Sequence, residues 1–227
     1  PGSPFPADGL TPIFVAVDPT GKFAYVANLY GGRISGYTIN ATTGALTAIP
    51  GSPFATAGAP QSLAVDPTGK FVYVADINTN DVSAYTINAT TGALTAVPGS
   101  PFPAGSGPAS VAVDPTGKFA YVANLGSNDV SVYTIDATTG ALSAIPGSPF
   151  PAGSGPFSVA VDPTGKFAYV ANSISNDVSG YTITVTTGSL TAIPGSPFPA
   201  GCGPASVAVD PTGKFAYVAN SGNWYNS

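Results

Sequence analysis

The motif Val-Asp-Pro-Thr-Gly-Lys-Phe recurs five times, with its aspartate at Asp18, Asp66, Asp114, Asp162 and Asp210, each 48 residues after the one before. A constant period of this length means that one supersecondary unit is stacked again and again, so the fold follows from what a single unit can be. A second marker keeps the same spacing. Pro-Gly-Ser-Pro-Phe starts at Pro50, Pro98, Pro146 and Pro194, and an opening copy at Pro1 is one residue out of phase, the extra residue lying in the loop before Ile13.

The third repeat reads as four strands separated by three breaks, at 109–113, 119–123, 130–135 and 141–145. Asp114-Pro115-Thr116-Gly117 supplies the first reversal, proline presetting φ at the second turn position and glycine accepting positive φ at the fourth. Gly126-Ser127-Asn128-Asp129 and Ala137-Thr138-Thr139-Gly140 supply the next two. The fourth strand runs into Pro146-Gly147-Ser148-Pro149-Phe150, and prolines donate no ladder hydrogen bond, so this strand is expected at the sheet edge.

Four strands per 48 residues predict an all-β chain, a β-propeller of four-stranded antiparallel blades with about five blades here. A β-solenoid is the rival, but its coils are shorter and lack regular hairpin turns. The expected organisation is one domain over 1–227, with repeats at 13–54, 61–102, 109–150, 157–198 and an incomplete 205–227 complemented by an N-terminal strand at 1–5. Trp224 and Tyr225 stand where the pattern calls for the loop and third strand of the fifth repeat. Three readings of the ends follow: a five-bladed ring with a defective closing blade, strand donation between chains and, the preferred one, a piece of a longer ring.

Only 7% of the residues are charged, while 28 glycines and 24 prolines accompany 44% hydrophobic residues, a balance suited to short strands and tight turns. The basic residues are five turn lysines and Arg33, scattered singly, so the clustered positive patch that nucleic acid requires is missing. No apolar run reaches the roughly 18 residues needed to span a bilayer, and membrane insertion is not expected. Cys202 is alone and sits where earlier repeats have Ser106 and Ser154, which leaves no disulfide framework.

The second strand carries Tyr-Val-Ala-Asn at 25–28, 121–124, 169–172 and 217–220, with Tyr73 to Asp76 as a variant. Together with the Asp-Pro-Thr-Gly-Lys turn before it, this resembles the YVTN-type β-propeller repeat of bacterial and archaeal surface proteins, which is related to the lactonase-like propellers. The chain departs from that pattern in the alanine at the third motif position and in showing five repeats where the family usually closes with seven. The resemblance implies a propeller fold and an extracellular or cell-surface location. Its lactonase-like branch uses His, Glu and Arg in the central channel, and this chain has no His, no Glu and one arginine, Arg33.

Near-identical blades offer equivalent positions around a ring, whereas catalysis needs different residues in different roles. No enzymatic activity is therefore expected, and no cofactor. The aspartates before proline read as turn residues whose carboxylates accept backbone N–H bonds. Asn80 and Asp81, Asn128 and Asp129, and Asn176 and Asp177 lie in the loop between second and third strands, on the end shared with the long connection between blades. Their repeated oxygens are candidates for a protein or glycan ligand or a weakly held Ca²⁺, the plainer reading being an Asx-turn, and no spacing matches a dedicated metal site. Asn40 and Asn88 begin Asn-X-Thr sequons in a predicted exposed turn and are glycosylation candidates. The expected function is a secreted binding, adhesion or scaffolding propeller whose repeated loop sites act by multivalency, with self-association through the unfinished terminal blade. A coat or filament subunit built by strand donation is the alternative, and a lactonase-like hydrolase the remote third.

Overall fold

A computed structural model of the chain describes residues 11–222. The expectations that rest on 1–5, Trp224 and Tyr225, including the N-terminal strand that would complete the last blade, lie outside the described residues. Every regular element among the described residues is a β-strand. Blade one comprises β1 (Pro12–Val17), β2 (Phe23–Asn28), β3 (Arg33–Ile39), β4 (Leu46–Ala48) and β5 (Phe54–Ala55). Blade two repeats this as β6 (Pro60–Val65), β7 (Phe71–Asp76), β8 (Asp81–Ile87), β9 (Leu94–Ala96) and β10 (Phe102–Pro103). Blade three runs from β11 (Pro108–Val113) through β12 (Phe119–Asn124), β13 (Asp129–Ile135) and β14 (Leu142–Ala144) to β15 (Phe150–Pro151). Blade four holds β16 (Pro156–Val161), β17 (Phe167–Asn172), β18 (Asp177–Ile183), β19 (Leu190–Ala192) and β20 (Phe198–Pro199), and β21 (Pro204–Val209) with β22 (Ala216–Asn220) begins a fifth.

Each complete blade is an antiparallel meander, as in the order β1-β2-β3-β4, and this repetition of four-stranded sheets is the propeller fold expected from the sequence. One pairing was not anticipated. The Phe-Pro pair after each Pro-Gly-Ser-Pro turn returns to the third strand, so Asp129 faces Pro151 and Val130 faces Phe150, while residues 133–135 pair with β14. The outer edge is thus built from two short pieces, because the seven-residue third strand outruns the three-residue fourth. Between the pieces a serine hydroxyl takes the place of a backbone acceptor: Ser148 Oγ accepts from Val132 N at 2.9 Å, as Ser52, Ser100 and Ser196 do from Gly36, Ala84 and Gly180. The four Ser-Pro bonds in this turn are cis.

The aspartate turn is locked by its own side chain. In blade one Asp18 Oδ1 accepts from Lys22 N at 2.7 Å and Phe23 N at 2.6 Å, and Oδ2 accepts from Thr20 N at 3.1 Å and from the Thr20 hydroxyl. Burial opposes the charge, but the Thr20 hydroxyl and the N–H groups of Phe23, Thr20 and Lys22 outweigh it and hold the carboxyl below its ordinary pKa. The proline-adjacent aspartates are therefore turn residues, as the sequence indicated.

The chain divides into two compact units, one of residues 1–103 with the turn 136–141, the other of 104–135 with 142–227. In the first, the Phe23, Tyr25, Ile34 and Ile49 face of blade one packs on Leu63, Val72, Val74 and Leu94 of blade two. In the second, Phe119, Tyr121, Val130 and Ile145 meet Val159, Val170, Ile183 and Leu190 in the same way. Burying side chains of this size stabilises by about 1.5–3 kcal/mol each. A polar latch completes the joint: Tyr25 Oη donates to Gly92 O at 2.7 Å and Tyr121 Oη to Gly188 O at 3.1 Å. Glycine is required at the receiving turn twice over, since Gly92 has φ +75° and a Cβ there would lie 2.4 Å from the Phe23 ring. β1 lies beside β6, and β11, β16 and β21 lie side by side, which makes the first strand of each blade the innermost.

Candidate functional site

The two ends of a blade differ in how much they vary. At the aspartate turn the blades repeat one another, but on the opposite end their chemistry diverges: Tyr30, Asn78, Gly126 and Ile174 occupy one loop position, and Ile13, Gln61, Ala109, Phe157 and Ala205 one position of the innermost strand. Arg33 stands where the other blades have Asp81, Asp129 and Asp177, and Asp76 where they have Asn28, Asn124, Asn172 and Asn220. Thr56, beside Asp76, replaces the alanines at 104, 152 and 200. Divergence confined to one end of otherwise repeated units marks that end as the place where distinct roles can be assembled.

The last residue of the second strand organises this end. In blade three Asn124 Nδ2 donates to Asp129 Oδ1 at 2.6 Å and to Ser131 Oγ at 2.9 Å, and the same serine accepts from Gly105 N at 3.2 Å. Asn172 repeats the pattern with Asp177 and Ser179. In blade two the donor is gone: Asp76 accepts from Ser83 Oγ at 2.6 Å, while Ser83 still receives Ala57 N at 3.2 Å. Its neighbour across the hairpin is Asp81, so an amide–carboxylate pair has become two carboxyls.

Asp76 is fully buried, and its pKa is pushed up to about 6. Desolvation is the main cause and the Asp81 charge adds to it, while the hydroxyls of Ser83 and Thr56 and the Gly58 N–H act the other way. Asp81 is only half-buried; desolvation also raises its pKa against a 2.9 Å hydrogen bond from Thr79 Oγ1. A buried acceptor oxygen without a hydrogen-bond partner recurs on Asn28, Asp76, Asn124 and Asn172, so it belongs to the repeat rather than to Asp76 alone. What sets Asp76 apart is its charge.

Beside this pair a cleft of about 320 Å³ is lined by Leu29, Tyr30, Gly31, Gly32, Gly58, Ala59 and Asn78. Gly58 connects the two features, lining the cleft and turning its N–H toward the Asp76 carboxyl. A Cβ at Gly58 would lie 2.6 Å from Thr79 Oγ1, so the loop approaches this closely only because the residue is glycine. Arg33 follows the cleft residue Gly32 directly and is exposed. Among the described residues no three His, Cys, Asp or Glu side chains gather as a metal site.

The asparagines singled out from the sequence have structural work. Asn80, Asn128 and Asn176 all take φ of +60°, and Asn128 Oδ1 accepts from Gly155 N while Asn176 Oδ1 accepts from Gly203 N, both at 2.8 Å, tying the loop to the next connection. Asp129 and Asp177 serve as acceptors for Asn124 and Asn172. Asn40 and Asn88 are exposed and form Asx-turns, each Oδ1 receiving two backbone N–H groups within 3.0 Å. Sequence reasoning passed over Asp76, noting it only as a variant of the motif. The signal was the joint departure of Thr56 and Asp76 in one blade.

A family model described as lactonase, 7-bladed β-propeller, matches residues 13–109 and 100–227. Among solved structures, a candidate 6-phosphogluconolactonase from Bacteroides uniformis superposes with a TM-score of 0.82 at 22% identity, over 93% of this chain and 64% of its own. A candidate 6-phosphogluconolactonase from Bacteroides fragilis gives 0.76 at 26% identity, with coverage of 93% and 64%. The periplasmic gluconolactonase of Pseudomonas aeruginosa gives 0.79 at 21%, with coverage of 92% and 63%. The chain thus spans under two thirds of the length of these proteins. No curated protein matches it in sequence.

These matches overturn the expectation of a non-enzymatic adhesion or scaffolding propeller, and with it the coat or filament alternative. The physical error lay in treating the blades as equivalent. Symmetry holds for the aspartate turns and the inter-blade joints, but Arg33, Thr56, Asp76 and the loop tips break it on the end where a site would be built. The absence of His and Glu excludes two residue types, not acid–base chemistry, because a carboxyl titrating near 6 is available in Asp76.

Proposed function

Because this chain belongs to the lactonase family of seven-bladed β-propellers, we propose that it serves in the hydrolysis of a lactone: water adds to the cyclic ester carbonyl, the ring C–O bond breaks, and an open hydroxy acid leaves. The observation that carries this reading is the family match, which extends across nearly all the described residues. The names of the relatives support a sugar lactone, gluconolactone or its 6-phosphate ester, as the substrate class.

Water attacking an ester carbonyl near neutral pH must give up a proton, and a base whose pKa lies close to the working pH does this best. The pair of Asp76 and Asp81 fits that task. Asp81 is half-buried, its proton affinity raised by desolvation, and is the base; Asp76, fully buried across the hairpin from it, is a positioning residue whose proton affinity is raised by desolvation and by the Asp81 charge. Arg33 would meet the anionic group of the substrate or of the acid formed, as guanidinium groups hold carboxylate and phosphate. The YVTN type of the repeat and an exported location are kept as parts of this proposal, the second supported by sequons in exposed turns.

The test is titration of the acid released from gluconolactone and from its 6-phosphate, compared with spontaneous hydrolysis in buffer. Release above that background is expected, falling by about a hundredfold in Asp81→Asn. Rates indistinguishable from buffer with both lactones would remove the proposal.

A further inference from the structure

In blades three and four one asparagine ties the loop between second and third strands to the connection that leads to the next blade. Asn128 Oδ1 accepts from Gly155 N and Asn176 Oδ1 from Gly203 N, both at 2.8 Å and both across 27 residues. The same step back from Ala59 leads to Gly32, which has no side chain to make the bond. Gly32 keeps the backbone of the asparagines, with φ +57° against +60° at Asn80, Asn128 and Asn176, so blade one has lost the carboxamide and not the turn. Ala59 is buried, and a buried backbone N–H calls for an acceptor; the one that its counterparts have is absent here. Gly32 and Ala59, the two ends of the missing bond, both line the cleft of about 320 Å³. Gly31, a third lining residue, stands where the other blades have Thr79, Ser127 and Ser175. The cleft thus lies where the repeat elsewhere places a tethering side chain.

We propose that an oxygen of a small ligand takes the place of the missing asparagine and accepts from the Ala59 N–H, and that this ligand is the lactone, seated by its carbonyl oxygen. The identity of the ligand rests on the hydrolase reading; the place for an acceptor does not. The cleft is at the lower limit of small-molecule pockets, which run from roughly 300 to 1,000 Å³, and suits a single ring. Its walls include Tyr30 and Asn78, side chains that no other described blade has at this loop position. An aromatic ring and a carboxamide are suited to the face of such a ring and to its hydroxyls. As water adds, the carbonyl oxygen gains negative charge, and a donor already fixed in place stabilises it there. Gly58, one residue earlier, turns its N–H to Asp76, so two adjacent amides serve the ligand and the carboxyl pair.

Gly32→Asn, which refills the place with the repeat's own side chain, is the test. It is read by calorimetric binding of gluconate, the open acid, whose carboxylate offers the same kind of oxygen and whose binding needs no turnover. The variant should melt at a higher temperature than the native chain and bind gluconate about tenfold more weakly, because the asparagine competes for the Ala59 N–H. Gly32→Ala is more strained than asparagine at φ +57° but makes no bond to Ala59, and it should weaken binding only about twofold. In the native chain gluconate should also move the Ala59 amide resonance in nuclear magnetic resonance spectra. No gluconate binding by the native chain, an Ala59 amide unmoved by bound gluconate, binding unchanged in folded Gly32→Asn, or a greater loss in Gly32→Ala than in Gly32→Asn would each overturn the proposal. Binding in the predicted order without hydrolysis above buffer would support the site and end the hydrolase reading alone.

Discussion

Asp76 shows what a single atom type does inside a repeat. Its pKa of about 6 lies above the ordinary 3.8, so the folded state binds the proton more tightly than the unfolded chain. The stabilisation this provides is complete below pH 3.8 and is lost as pH rises through 6. Asp76→Asn, which restores the amide of the other blades and a donor toward Asp81, should therefore raise stability at pH 7.5 by about 2–3 kcal/mol and leave it nearly unchanged at pH 3.5. Urea unfolding at the two pH values measures this; equal effects at both would show that the carboxyl is not held protonated by burial. A carboxylate that costs stability where four blades do without one is what a functional group looks like. The turn aspartates behave in the opposite sense. Asp114→Ala strands Lys118 N and Phe119 N and should destabilise by about 2–4 kcal/mol, read from the same unfolding curves.

Among the elements, strands and turns were legible because their signals are local: alternation, glycine at positive φ, and proline where a donor is not needed. The split outer edge was not legible. A two-residue strand carries no periodicity, and Phe150 returns to Val130 only because the Ser148 hydroxyl bridges the gap in the ladder. The dependence of the inter-blade joint on the turn glycine emerges only when Phe23 and Gly92 are seen in contact. Two substitutions separate the backbone effect from the contact. Gly92→Ala adds a clash 2.4 Å from the Phe23 ring to the strain of positive φ and should cost about 2–4 kcal/mol; Gly44→Ala carries the strain alone and should cost about 1 kcal/mol. Thermal melts showing equal losses would mean that the joint does not need the glycine.

For the whole molecule, the 48-residue period carried the fold but concealed the site. Repetition identifies what all blades share, which is architecture, and a site is made of what they do not share. Arg33, Thr56 and Asp76 were visible as departures from the repeat, yet that Thr56 and Gly58 meet the Asp76 carboxyl, and that Gly58 and Gly32, the neighbour of Arg33, line one cleft, depends on how the 56–59 connection returns over β7. The central claim is that this end of the blades supports hydrolysis of a lactone. The most direct test is the rate of acid release from gluconolactone and its 6-phosphate as a function of pH, for the native chain and for Asp76→Asn. The account predicts a rate above buffer that falls on the acid side as the raised Asp81 carboxyl takes up its proton, with that fall moved to lower pH in the variant. A rate equal to the uncatalysed one at every pH, or an acid limb that Asp76→Asn leaves in place, would contradict it.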